Sequence, residues 1–211
     1  MAVSPFIVAH RAGNDLALLR RAERLRPRLV ECDVHLHRGR LEVRHLKTLG
    51  PLLWDKWYLA SPRTPRLELA VLLDHVGPDT ELMLDLKGRD PRLSRRVAAE
   101  LAKRPGPVTV CSRSWRLLEP FHEHPHVRAV HSVGSRWQLR ALRRRFRSRR
   151  LAGVSIHQRL LDPPTVAELK GLAEMVVTWP VATLEEARRL GAWGVDGVIT
   201  ERFEALAEGP T

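Results

Sequence analysis

The chain has 211 residues, of which 44% are hydrophobic and 28% are charged, and its formal net charge is +12 at pH 7. This balance is ordinary for a globular protein and argues against a disordered chain, and the length suffices for one sizeable core. No stretch approaches the roughly 20 apolar residues of a membrane-spanning helix, so none is expected.

Short β-rich runs alternate with helical stretches along the whole chain. Strands are predicted at 6–10, 29–34, 41–45, 82–87, 108–112, 128–133, 153–157, 175–180 and 197–200. Helices are predicted at 14–25, 67–76, 91–103, 115–122, 136–147, 164–173 and 184–190, with a short one after the last strand. With the strand at 41–45 set aside, eight strands remain, and the alternation predicts parallel strands with helical crossovers. Eight such units favour a closed (β/α)8 TIM barrel of the α/β class over an open sheet.

A single compact domain is expected over residues 1–211, because no change of composition marks a linker. The longest irregular stretch, 46–66, is predicted to be a functional loop or a reduced insertion after the second barrel strand. Residues 1–11 lack the basic and apolar regions of a secretory signal, so a cytoplasmic location is expected. Cys32 and Cys111 give no disulfide framework and are predicted to be buried thiols of a reduced compartment. The sequence leaves the oligomeric state open.

An arginine-rich run at 140–150 accounts for part of the positive charge. Such a run can bind nucleic acid or an anionic membrane surface. The simpler interpretation is a solvated helix face, which we favour because Phe146 is the one aromatic residue among the arginines. No nucleic-acid-binding motif accompanies the run, so no specific nucleic-acid partner is expected, while peripheral contact with an anionic surface stays open.

Polar and ionisable residues stand at the ends of several predicted strands, where active residues of a barrel of this kind gather. They are His10 and Arg11 on the first strand, Glu31 and Asp33 on the second, Asp85 and Lys87 on the third, and Trp179 on the seventh. Side chains alternate along a strand, so Glu31 and Asp33 share one face, and so do Asp85 and Lys87. We therefore expect these residues to converge on the barrel mouth.

This convergence suggests a particular chemistry. Three carboxylates from adjacent strands cannot all remain ionised at close range without a cation, and oxygen-only ligands suit Mg²⁺ or Ca²⁺. Arg11 and Lys87 would recognise an anion, most simply a phosphate. Two histidines on opposite sides of that phosphate could act as general acid and base, which predicts metal-assisted cleavage of a phosphodiester. No role is given to His157, and six further histidines are expected on the surface or in loops: His35, His37, His122, His124, His126 and His131.

Nearly the whole chain resembles the glycerophosphodiester phosphodiesterases, a family of the phospholipase-C-like barrel superfamily. The motifs that carry the resemblance are His10-Arg11-Ala12, Glu31-Cys32-Asp33-Val34, a returning strand that ends at His45, Asp85-Leu86-Lys87, Trp179-Pro180-Val181 and the closing GVDGVITE at 194–201. Each motif is loose by itself, but their order and spacing together are specific.

The resemblance implies a role for each of these positions. His10 and His45 would be the acid/base pair, and Glu31, Asp33 and Asp85 would hold a divalent cation, Mg²⁺ or Ca²⁺. The substrate and its phosphate would be bound by three residues: Arg11, Lys87 and Trp179. The implied reaction converts a small-molecule glycerophosphodiester into an alcohol and glycerol 3-phosphate, with attack by the neighbouring glycerol hydroxyl through a cyclic phosphate.

Three departures from the family pattern keep other interpretations open. Gly13 and Asp85 stand where glutamates are expected, and Leu46 replaces an aspartate. One alternative is a related barrel phosphodiesterase that acts on lysophospholipids or another phosphodiester. Another is a catalytically impaired binding homologue. Nucleic-acid binding through the arginine run ranks last.

Overall fold

The computed structural model describes residues 4–49, 52–55, 58–60, 66–103 and 106–207. Within these residues, eight parallel strands form a closed barrel: β1 Phe6–Ala9, β2 Leu29–His37, β3 Leu82–Lys87, β4 Val108–Ser112, β5 Val127–Val133, β6 Gly153–His157, β7 Val176–Trp179 and β8 Gly197–Thr200. Each strand pairs in parallel with the next, and β8 pairs with β1. This closure confirms the predicted (β/α)8 TIM barrel.

Helices follow most of the strands. In the described part of the chain they are α1 Leu16–Leu25, α2 Leu69–His75, α3 Pro91–Leu101, α4 Arg136–Arg145, α5 Pro163–Leu172, α6 Leu184–Ala192 and α7 Phe203–Ala207, with 3-10 helices at Ala12–Asn14, Trp115–Glu123 and Gln158–Leu160. Side-chain caps explain several starting points, since Asp15 accepts the Leu18 amide and Thr183 forms a capping box with Glu186. None of the described helices is long and apolar enough to cross a membrane.

Side chains along the barrel strands alternate between the inside of the barrel and the outer face that packs against the helices. Val8, Leu29 and Met83 belong to the apolar cluster inside the barrel, whereas Val30 and Cys32 pack outward in the layer shared with the helices. Cys32 and Cys111 are both free and buried, as predicted. Because Leu29 points inward, Glu31 and Asp33 must do so too, two and four residues nearer the carboxyl end of β2.

The segment between β2 and β3 departs from the predicted irregular loop. Besides Arg40–Val43, which corresponds to the strand predicted at 41–45, and Leu67–Glu68, three short strands lie here: Lys47–Leu49, Leu52–Asp55 and Tyr58–Ala60. The last three form a small antiparallel sheet. Strands of three or four residues are too short to show a clear period-2 pattern, so the sequence prediction of an irregular stretch was wrong for the described residues of this insertion. The preceding strand ends at Val43 rather than at 45, which leaves His45 beyond it.

The expectation that His131 lies on the surface was also wrong. The side chain is 2% exposed and points outward from β5, where Phe146 and Trp115 pack against it at ring-centroid distances of 4.7 and 5.8 Å. Its Nδ1 has no hydrogen-bond partner among the described residues. Burial first, and then the charge of His122, lowers the pKa of His131 to about 4.

This histidine should make the barrel less stable in acid. Because its pKa is lower in the folded than in the unfolded state, the free energy of unfolding should fall by roughly 3 kcal/mol between pH 6.5 and pH 4. Urea unfolding of His131→Phe should show a smaller loss than the wild type over that range. His126→Gln, at an exposed histidine, is the control. Identical pH profiles for wild type and His131→Phe would contradict the prediction.

Candidate active site

One cavity of about 650 Å³ opens at the carboxyl ends of the strands. All eight predicted site residues line it: His10, Arg11, Glu31, Asp33, His45, Asp85, Lys87 and Trp179. They are scattered along the chain, but the carboxyl ends of parallel strands in a closed barrel meet at a single rim. The structure therefore brings together every position that the sequence analysis selected.

Three carboxylates form the centre of this cavity. Glu31, Asp33 and Asp85 each offer one oxygen, and these oxygens all lie within 4.8 Å of one another. Burial first, and then the charge of Asp33, raises the pKa of Glu31 well above its ordinary value. Burial also raises the pKa of Asp85, against the opposing charge of Lys87. Such a cluster is electrostatically incomplete without more positive charge, and its oxygen-only donors fit a hard divalent cation.

Asp33 is the best-supported member of the cluster. Its carboxylate accepts a hydrogen bond from Asn14 Nδ2 at 2.9 Å and lies 2.7 Å from Lys87 Nζ and 3.2 Å from His45 Nδ1. Burial alone would raise its pKa, but the hydrogen bonds with His45, Lys87 and Asn14 outweigh burial and hold the pKa well below its ordinary value. Lys87 Nζ also contacts Asp85 Oδ2, and these carboxylates raise the pKa of the lysine although burial alone would lower it.

Asn14 received no role from the sequence. Besides its bond to the Asp33 carboxylate, its Oδ1 accepts the Asp33 backbone amide at 2.8 Å. It therefore ties the 3-10 turn after β1 to the carboxyl end of β2. The one sequence signal was its position within the opening motif, four residues after His10.

His10 lies on one side of the carboxylate cluster. Its Nε2 is 3.8 Å from Glu31 Oε2, and its Nδ1 is 3.4 Å from Glu201 Oε1. Burial first, and then the charge of Arg11, lowers the pKa of His10 to about 4. Glu201 was missed as a partner, although it closes the last motif of the sequence analysis.

Arg11 has a left-handed backbone, with φ of 56°, which turns the chain sharply after β1. Its amide donates to Glu31 Oε2 at 2.7 Å, and its Nη1 donates to Glu201 at 2.9 Å. Its Nε is buried and has no hydrogen-bond partner among the described residues. It lies 3.9 Å from Asp33 Oδ2, so the guanidinium faces both the carboxylate cluster and Glu201.

His45 approaches the cluster from the inserted segment. The Arg44 amide donates to the Asp33 carbonyl at 3.0 Å, which brings the chain back toward β2 just beyond the strand that ends at Val43. Buried Arg44 is fixed in turn by Glu42 at 2.7 Å. This anchoring places His45 beside Asp33, so the two predicted acid/base histidines contact different carboxylates of one cluster.

No family model matches the chain, and no curated protein does. Several solved structures resemble it over nearly their whole length. A glycerophosphodiester phosphodiesterase from Thermotoga maritima has a TM-score of 0.78 at 16% identity, with 99% of each chain covered. A phosphodiesterase from Oleispira antarctica, solved with its product sn-glycerol-3-phosphate, has a TM-score of 0.77 at 20% identity, covering 96% of this chain and 95% of that one. The chain has the fold of the glycerophosphodiester phosphodiesterases.

The departures from the glycerophosphodiester phosphodiesterase pattern can be read in this geometry. The shorter Asp85 still places an oxygen within the cluster, so the missing methylene does not remove it from the group. Gly13 is buried, and a Cβ there would lie 2.8 Å from the Cβ of Cys32. The close packing of the turn on β2 thus excludes the glutamate expected at this position. Leu46 offers its carbonyl to the Arg44 guanidinium instead of an acidic side chain.

Gly13→Ala should destabilise the protein by about 1 to 3 kcal/mol, because the added methyl group overpacks the turn against β2. The matched control is Gly171→Ala in α5, where a Cβ meets nothing within 4 Å and alanine should stabilise the helix by up to about 1 kcal/mol. Denaturant unfolding of both variants tests the pair. Equal effects in the two variants would show that the turn yields to the methyl group.

Proposed function

We propose that this chain is a metal-dependent glycerophosphodiester phosphodiesterase that releases an alcohol and glycerol 3-phosphate. The observation that carries the proposal is the arrangement of His10 and His45 around one carboxylate cluster at the mouth of a barrel with this fold. Neither the fold nor the cluster alone selects the reaction, since barrels of this class host many chemistries.

Glu31, Asp33 and Asp85 are the proposed ligands of Mg²⁺ or Ca²⁺. A bound divalent cation would polarise the phosphoryl oxygens and neutralise charge that develops during displacement. Asn14 would keep Asp33 oriented, since it bonds both the carboxylate and the backbone amide of that residue.

Arg11 and Lys87 are the proposed phosphate ligands. The Arg11 side chain lines the cavity and is 33% exposed there, with Nη1 held by Glu201 at 2.9 Å. Lys87 Nζ is held between Asp33 and Asp85, so its positive charge has a fixed place beside the proposed cation. Two fixed cations would bind the diester and orient its phosphorus between the histidines.

His10 and His45 are the proposed acid/base pair. One imidazole would accept the proton of the attacking hydroxyl as the new P–O bond forms. The other would protonate the alcohol oxygen as the old P–O bond breaks, so that the alcohol leaves neutral and a cyclic phosphate remains. A water molecule would then attack the cyclic phosphate with the two imidazoles in exchanged roles, and opening of the ring gives glycerol 3-phosphate. Asp33 beside His45, and Glu31 with Glu201 beside His10, would fix the orientation of the two rings.

A substrate panel tests the proposal. Glycerophosphocholine, glycerophosphoethanolamine, glycerophosphoglycerol and a lysophosphatidylcholine would each be incubated with Mg²⁺, with Ca²⁺ and with a chelator. We expect release of glycerol 3-phosphate from the deacylated diesters with a cation and none with the chelator. Turnover of the lysolipid alone would favour the alternative substrate class. No turnover of any of these substrates would refute the proposed phosphodiesterase activity.

A further inference from the structure

The cavity wall is divided by charge. Among the described residues that line it, the carboxylates all come from β2 and β3. The wall built by β4 to β7 and the residues just after them is uncharged except for one side chain, Arg113. Hydroxyl groups and an aromatic ring make up much of this second wall, including Ser114, Ser132, Ser155 and Trp179. A substrate whose phosphate sits at the carboxylate cluster would extend one of its two ester arms toward this wall.

Arg113 is held in a defined place on that wall. Its guanidinium carbon lies 5.0 Å from the centre of the Trp179 ring, within the range of a cation–π contact. No carboxylate of the described residues forms an ion pair with it. Its side chain is exposed at the mouth, and the nearest acidic influence is Asp85, whose pKa the Arg113 charge lowers without a direct ion pair between them.

Hydrogen bonds connect the loop after β4, which carries Arg113, to the loop after β5, which carries Gly134. Buried Gln138 accepts the Gly134 amide at 2.9 Å and donates to the Arg113 carbonyl at 3.4 Å. Arg159 donates to the Gly134 carbonyl at 2.9 Å. Gly134 also leaves the space that the guanidinium occupies, since a Cβ there would lie 2.8 Å from Arg113 Nη2. The backbone that carries Arg113 is thus fixed, and its guanidinium packs over Trp179 and against Gly134.

We propose that Arg113, which lies over the Trp179 ring, forms a second anion-binding subsite, selecting phosphodiesters that carry a further phosphate or carboxylate on one ester arm. This inference rests on the proposed function and names its substrate class. A guanidinium binds phosphate or carboxylate through paired donors.

The same arrangement disfavours a cationic arm such as choline. A quaternary ammonium group is normally bound on the face of an aromatic ring. Here Arg113 already lies over Trp179, and His157 packs edge-on against the same ring at 4.7 Å. A cationic arm would therefore meet like charge where it needs an open aromatic face.

Three substrates that differ in the charge of one ester arm test the subsite: glycerophosphocholine (cationic), glycerophosphoglycerol (neutral) and glycerophosphoglycerol phosphate (anionic). The wild type should give its highest kcat/KM on the phosphate-bearing diester and its lowest on the choline diester. In Arg113→Gln, the ratio of kcat/KM for the phosphate-bearing to the neutral diester should fall by about 10- to 100-fold, as expected for loss of a charged hydrogen-bond donor. Arg113→Lys should give an intermediate ratio, because it keeps the charge but not the fork.

Gly134→Ala is a second route to the same loss, since its methyl group would displace the guanidinium without changing Arg113 itself. Arg116→Ala, at an exposed arginine that does not line the cavity, is the charge control and should leave the ratio unchanged. Equal kcat/KM on all three substrates, or a uniform loss in Arg113→Gln, would overturn the subsite.

Failure of the proposed function would look different, because then no diester turns over. In that case calorimetry with glycerol 3-phosphate and glycerol 1,3-bisphosphate decides the question. Tighter binding of the bisphosphate by the wild type, lost in Arg113→Gln, would support the second subsite. Equal affinities for the two ligands would refute it.

Discussion

Replacing His10 or His45 by alanine is expected to lower kcat on glycerophosphodiesters by about 10²- to 10⁴-fold, the usual contribution of a positioned acid or base. The two rings contact different carboxylates of one cluster, so neither can take over the proton transfer of the other. The double variant should lose little more than the worse single variant, because an acid/base pair acts as a unit. Steady-state kinetics with a saturating divalent cation provide the measurement.

The histidine variants need controls that separate chemistry from folding and cation binding. His75→Ala, at an exposed position of α2, should leave kcat unchanged. Calorimetry should show that His10→Ala and His45→Ala still bind the cation, because neither ring belongs to the carboxylate group. A variant that keeps kcat within about threefold of wild type would remove that histidine from the proposed mechanism.

The rim residues on barrel strands were predictable because local geometry decides them. Glu31 and Asp33 lie two apart on β2, and strand alternation gives them one face whatever surrounds them. Asp33 and Asp85 are direct register partners of neighbouring strands. Once the repeating strand–helix pattern indicated a barrel, both carboxylates had to reach the same rim.

The partners of those residues were not predictable in the same way. Arg11 and Glu201 form a hydrogen bond although 190 positions separate them. Arg113 follows β4 in a loop, where no periodicity determines which side chain turns toward the cavity. The burial of His131 was not predictable either, because the sequence around it does not show which strand histidines are covered. Residues of the helix at Trp115–Glu123 and Phe146 after α4 pack over it only in the folded barrel.

The carboxylate cluster places function and stability in opposition. Glu31 has a raised pKa in the folded protein, chiefly from burial, so folding is disfavoured as pH rises above its unfolded value. In the absence of a divalent cation, Glu31→Gln should therefore increase the free energy of unfolding by ~1 kcal/mol near neutral pH. The gain should be larger at pH 8 than at pH 5, where the unfolded glutamate is itself partly protonated. Urea unfolding at both pH values measures it.

The effect of Glu31→Gln on the free energy of unfolding should change from stabilising to destabilising when the cation is added. A ligand that binds the native state at 100 times its Kd stabilises that state by about 2.7 kcal/mol, and wild type should gain this increment from Mg²⁺ or Ca²⁺. Glu31→Gln should lose most of it, because a neutral amide replaces a charged ligand. Glu174→Gln, at an exposed glutamate just before β7, should change neither quantity. If Glu31→Gln destabilised the cation-free protein, the carboxylate would be serving the Arg11 amide as a structural acceptor, and if it kept the full increment, Glu31 would not be a ligand.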